Sequence, residues 1–159
     1  MIKYYVLAIA AFVIDQVVKM WAVNNLTNDI VIIEDFFRLS YVENYGISFS
    51  MLSGNKLIIL IFSLVGIYLI WILMTKHAYH KYYLIPLSLM LAGAVGNLFD
   101  RIFRGYVVDY FQFTISGNDL AVFNIADTFL VVGMAVLILV IAIEEIKGNG
   151  NNNNRKWYW

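Results

Sequence analysis

The chain has 159 residues, 62% of them hydrophobic and 14% charged, with a formal net charge of zero and no cysteine; soluble domains carry roughly 45–50% apolar and about 25% charged residues. Such a composition excludes a water-soluble globule and, with no basic stretch interleaved with aromatics, a nucleic-acid binder. The lack of cysteine also removes disulfides, thiolate nucleophiles and cysteine-ligated metals.

Met1-Ile2-Lys3 and the apolar run up to Ile14 imitate the first half of a secretory signal, but Asp15, Gln16 and Lys19 interrupt it and no small-x-small cleavage site follows. The segment therefore reads as a retained first span, about 4–23. Ile30-Val-Ile-Ile and Phe36-Phe-Arg-Leu-Ser-Tyr-Val are β-prone runs separated by Glu34-Asp35, which predicts a small sheet or hairpin at the membrane surface. Further spans fall at about 57–74, 82–99 and 127–145. Pro86 lies near the start of the third, where a missing N–H is tolerated, and Gly93, Ala94 and Gly96 allow close helix packing there.

The expected fold class is an all-α membrane protein: a four transmembrane helix bundle with a small extracytoplasmic β-sheet or hairpin and a surface loop-helix. Residues 1–147 form a single membrane-embedded domain, and the Gly/Asn-rich stretch 148–159 is expected to be a disordered cytoplasmic tail. Lys3, Lys76, Lys81, Lys147, Arg155 and Lys156 crowd one side, whereas Arg38, Lys56, Arg101 and Arg104 are spread over longer loops on the other. Both termini are thus expected in the cytoplasm.

On that topology the unusual polar residues gather near the outer face. Asp15, Gln16 and Lys19 lie in the outer half of span one, Asn97, Asp100 and Arg101 close span three, and Asn124 and Asp127 open span four. Ionisable groups at membrane depth usually face the bundle interior and mark function. Each also has a plainer reading. Asp15 and Lys19, spaced i, i+4, form a structural ion pair, the favoured reading for those two. Asp100-Arg101 serve as interfacial anchors, and Asp127, at a helix start, caps free N–H groups. Asp109, inside Tyr106-Val-Val-Asp-Tyr-Phe, needs a partner unless an edge strand turns it to water.

His77 and His80 fall on the other side of the membrane, and neither a metalloprotease motif nor a nucleophilic-serine elbow occurs. If the chain is an enzyme, carboxylates must carry the chemistry. Two aspartates brought together repel, so one holds a proton while the other is ionised, as in aspartic proteases. The competing reading is a non-enzymatic helical bundle or carrier. Its polar residues should run through the full membrane thickness, whereas here the inner halves of the spans are apolar.

Five blocks in order resemble the lipoprotein signal peptidases, or signal peptidase II. They are Asp15-Gln16-x-x-Lys19, Asn44-Tyr-Gly46-Ile-Ser-Phe49, Gly93-Ala-Val-Gly96-Asn97-Leu-Phe-Asp100-Arg101, Gly105-Tyr-Val-Val-Asp109, and Phe123-Asn124-Ile-Ala-Asp127. The resemblance implies Asp109 and Asp127 as the catalytic dyad of an aspartyl endopeptidase. It places Asn44, Gly46, Phe49, Asn97, Arg101 and Asn124 at the substrate, with Asp15, Lys19, Gly93, Gly96 and Asp100 in supporting roles. The implied reaction removes the signal peptide of a diacylglyceryl-modified prolipoprotein before its lipidated cysteine, at the outer face of the bacterial cytoplasmic membrane. It implies no metal and no organic cofactor; the expected partners are that substrate and membrane lipids, and the expected state is a monomer. One departure is that Leu120-Ala121-Val122, where many relatives have a proline, precedes Phe123.

Overall fold

A computed structural model of the chain describes residues 1–46, 55–115 and 118–149. Its helices are α1 (Ile2–Asn25), α2 (Lys56–Lys76), α3 (Lys81–Phe103) and α4 (Ile125–Asn149). All four are long and apolar enough to cross a bilayer. Each outruns the apolar stretch that predicts it, because an unpaired backbone group at membrane depth costs several kcal/mol and the helix continues until polar surroundings take over. Thus α4 is helical to Asn149, beyond the expected domain end at 147.

Helix α3 is the hub and packs on each of the other three. Of its most apolar stretch 56% is buried, against 17% for α2 and for α4, whose remaining apolar side chains face outward. Small residues explain the difference. A Cβ on Gly93 would run into the carbonyl oxygen of Ala126, and one on Gly96 would stand 2.6 Å from Asp15 Oδ2. These two positions let α4 and α1 close onto α3 without a side chain between them.

Four strands, β1 (Ile30–Ile33), β2 (Phe37–Asn44), β3 (Val107–Ile115) and β4 (Asn118–Phe123), form one antiparallel sheet in the order β1-β2-β3-β4. The first two join α1 to α2 and the last two join α3 to α4, so the sheet covers a single end of the bundle. The four helices and the small sheet are as expected, and with four strands in the sheet only the label all-α is too narrow. The pairing of β2 with β3, which sets Val42 opposite Asp109 and Asn44 opposite Val107, joins two loops far apart in sequence, and local β-propensity does not announce such a contact. Asp109 is accordingly on an interior strand, with β2 and β4 on either side, and the edge-strand reading fails.

Val108 and Tyr110 of β3 seat the sheet on Ala22 and Leu26, where α1 ends. Tyr4, Met74, Leu84, Leu87 and Leu137 fill the opposite end of the bundle. Among the described residues no fifth helix occurs; Phe49 and the part of the expected tail after Asn149 lie outside them.

Candidate active site

Asp15 and Lys19 meet on one face of α1, as their spacing dictates, at 3.0 Å and with neither side chain exposed. The ammonium has two more partners, Asp100 Oδ2 at 2.9 Å and Asn97 Oδ1 at 3.0 Å. Three donors thus find three acceptors. Asp15 Oδ1 accepts the N–H of Ala126 at 2.9 Å, in the first turn of α4, where free N–H groups and the helix dipole favour a carboxylate. Asp100 pairs with Arg104 and also accepts the Val108 N–H at 3.3 Å. Gln16 donates to Asp15 and Asp100 and accepts from Arg104. This buried, cation-paired cluster ties α1, α3, α4 and β3 together.

Beside it lies a second pair of carboxyls, satisfied in another way. Asp109 Oδ2 accepts from Asn44 Nδ2 at 2.9 Å and Oδ1 from Asn124 Nδ2 at 2.7 Å. Asp127 Oδ1 accepts from Asn97 Nδ2 at 2.7 Å, and Oδ2 from the backbone N–H of Asn124 at 3.3 Å. Asn124 is the hinge of the arrangement, because its Oδ1 accepts the N–H of Asp127 at 2.8 Å while its amide nitrogen reaches Asp109. The Asn124 and Asp127 bonds form a reciprocal capping box at the start of α4, so the cap itself is Asn124, and Asp127 returns the second bond. Asp127 is half-buried, Asp109 almost wholly buried. Burial first, and then the charge of Asp127, pushes the Asp109 carboxyl up to about 7.

Arg101 spends its donors on main-chain carbonyls, Asn97 O at 3.2 Å and Gly46 O at 3.1 Å, and so clasps the residues that follow β2 onto the end of α3. Gly46 in turn donates its N–H to Asn44 Oδ1 at 2.9 Å, which orients the Asn44 amide nitrogen toward Asp109. Fully buried Tyr110 accepts the Ile125 N–H at 3.1 Å. No cluster of three or more metal-ligating side chains occurs among the described residues.

A family model described as signal peptidase (SPase) II matches residues 7–143. The chain belongs to the signal peptidase II family. It is 39% identical over 149 residues to the lipoprotein signal peptidase of Clostridioides difficile strain 630, an alignment covering 92% of this chain and 99% of that one. To the lipoprotein signal peptidase of Caldanaerobacter subterraneus subsp. tengcongensis it is 41% identical over 136 residues, covering 82% and 91%. A bacterial membrane enzyme solved by the in meso method at 2.3 Å superposes with a TM-score of 0.82 at 26% identity, over 99% of this chain and 96% of that one.

The signal peptidase II match thus spans every site residue that the sequence singles out, from Asp15 to Asp127. Asp109, Asp127, Asn44, Asn97 and Asn124 converge in one hydrogen-bonded group, with Arg101 and Gly46 at its rim; Asp15, Lys19 and Asp100 form the adjoining cluster, which Gly93 and Gly96 make room for. Sequence reasoning missed Arg104 and Tyr110 and gave Gln16 no role. The i, i+4 spacing of Asp100 and Arg104 was the available signal for the first. A tyrosine in an apolar strand gives no comparable signal of its partner.

Proposed function

We propose that this signal peptidase II relative is an aspartyl endopeptidase that cuts diacylglyceryl-modified prolipoproteins just before the lipidated cysteine, with Asp109 and Asp127 as its catalytic pair. The observation that carries the reading is that these two carboxyls share Asn124 and, among the described residues, accept hydrogen bonds from side-chain and backbone amides and pair with no cation. A group poised near neutrality suits proton transfer.

With its proton, Asp109 donates a hydrogen bond to the scissile carbonyl oxygen. Asp127 then takes a proton from water as the water oxygen bonds to the carbonyl carbon. The tetrahedral intermediate collapses with breakage of the C–N bond, and a proton from the pair passes to the departing amine. Asn44, Asn97 and Asn124 hold the carboxyls in place, and Arg101 positions the segment carrying Gly46 along the substrate's path. The protein works as a monomeric single domain in the bacterial cytoplasmic membrane, termini inside and sheet at the outer face, where water and a lipid-held substrate meet.

A carrier would need a polar path through the other half of the bundle. That half is apolar around Leu84, Leu87 and Leu137, and its buried Ser88 bonds back to Leu84 O. The test is processing of a diacylglyceryl-modified prolipoprotein in detergent by the wild type and by Asp109→Asn and Asp127→Asn. Each folded variant should lose activity by roughly 10²–10⁴-fold, the range for general acid–base catalysis. Full activity in either variant, or an inert wild type, would remove the proposal.

A further inference from the structure

At the end of the bundle opposite the carboxyls, a cavity of about 490 Å³ opens between the start of α1 and the turn from α2 to α3. Lys3, Tyr4, Tyr79, His80, Lys81 and Tyr82 line it, and no carboxylate does. Lys3 and Lys81 make no ion pair among the described residues; their ammonium groups instead lie 5.1 Å from the Tyr4 ring and 5.0 Å from the Tyr82 ring. The nearby acid, Glu144 of α4, is engaged by the Tyr83 hydroxyl at 2.6 Å. Helix α3 starts here with neither a side-chain cap nor an acidic residue in its first turn, which adds a positive dipole end to the two lysines. Cations that make no ion pair among the described residues, around a concave space lined by no described carboxylate, favour an anion.

The surroundings say which anion. Tyr79 and Tyr82 are 99% and 61% exposed, as aromatics at a headgroup level are, and Ile85, one turn further along α3, presents an apolar side chain to the outside at 45% exposure. A ligand with a phosphate at the lysines and a hydrocarbon chain along α3 satisfies both. We infer that this cavity is a headgroup site for an anionic phospholipid, its phosphodiester held by Lys3 and Lys81 and its acyl chain laid against the outer face of α3.

The full chain in detergent tests this by its unfolding midpoint and native mass spectrum in the presence of dioleoylphosphatidylglycerol, dioleoylphosphatidylcholine or inorganic phosphate. Phosphatidylglycerol should raise the midpoint and remain as one adduct, and the other two should not. Lys3→Ala with Lys81→Ala should weaken that binding roughly 30-fold, at about 1 kcal/mol per lysine near an anionic lipid. The Lys3→Arg, Lys81→Arg pair should retain it and guards against loss through misfolding. Lys76→Ala with Lys147→Ala, at the same end but outside the cavity, should leave it unchanged. Equal stabilisation by phosphatidylcholine overturns the site, and equal loss in both alanine pairs reduces it to diffuse surface charge. A shift reproduced by inorganic phosphate overturns the lipid in favour of a free-anion site.

Discussion

Asp15 and Asp100 share one ammonium, that of Lys19, and Asp100 has Arg104 as well; Asp109 and Asp127, in the same end of the bundle, are bonded among the described residues by asparagine amides and a backbone N–H. The first pair is held by cations. The second is held in position by neutral donors that fix geometry without fixing the charge, since an amide stabilises a carboxylate less than a cation does. The two clusters adjoin in one end of the bundle and differ in the chemistry of their partners, not in distance from one another.

Removing the shared cation should do the most damage. Lys19→Met leaves two buried carboxylates facing each other, and breaking a buried ion pair from one side costs about 3–5 kcal/mol; thermal unfolding in detergent should show a grossly lowered midpoint or no folded protein. A midpoint like the wild type's would mean that the first cluster is not charged and that the contrast is false.

The second expectation concerns pH. The folded Asp109 carboxyl stands near 7 against 3.8 for an unperturbed aspartate. Between those values the folded state holds a proton that the unfolded chain has lost, so its contribution to stability declines as pH rises and is smallest above about 7. Relative to wild type, Asp109→Asn should therefore gain stability from pH 4 to pH 8, by at most about 4 kcal/mol at 1.36 kcal/mol per pKa unit. Unfolding midpoints that move in parallel for the two proteins would mean that the Asp109 carboxyl is not raised by folding.

Gly96→Ala sharpens the comparison sterically. The new methyl carbon would stand 2.6 Å from Asp15 Oδ2, and overpacking of this kind costs about 1–3 kcal/mol. Unfolding should register it in full, and the loss should be smaller in an Asp15→Ala background, which removes the atom that the methyl meets. The smallest effect is expected at Arg38, which pairs with Asp29 and Asp119 on the sheet surface while a third of its side chain remains exposed. Arg38→Ala should shift stability by about 0.2–1 kcal/mol, the range for solvent-screened pairs, and less at high salt.

Much of this was readable in advance for physical reasons. Length and apolarity identify the four spans, and the Asp15 and Lys19 spacing identifies a pair. The polar end is marked by residues that lipid would not tolerate. What stayed hidden depends on partners far along the chain. Asp100 as the second acid on Lys19 and Ala126 as the donor to Asp15 are contacts across 81 and 111 positions. The sheet is a similar case: β1 and β2 have a local signature, whereas the pairing of β2 with β3 and the interior place of Asp109 arise only when two loops meet. Asp127 shows a subtler miss. Asn124 three residues earlier is the pattern of a reciprocal cap, and the cap goes to the asparagine, which leaves the aspartate as its partner.

The ion pair within α1 has a consequence for biosynthesis. The chain is made from its N-terminus, and α1 enters the bilayer before α3 exists to supply Asp100. Were Lys19 to depend on that distant acid, the first helix would have to cross as a lone cation, at roughly 2.5–3.5 kcal/mol on insertion scales. Asp15, one turn away on the same face, provides a counter-ion from the moment the helix forms. The local pair carries the helix through insertion, and Asp100 and the Ala126 amide complete the cluster once the later helices arrive.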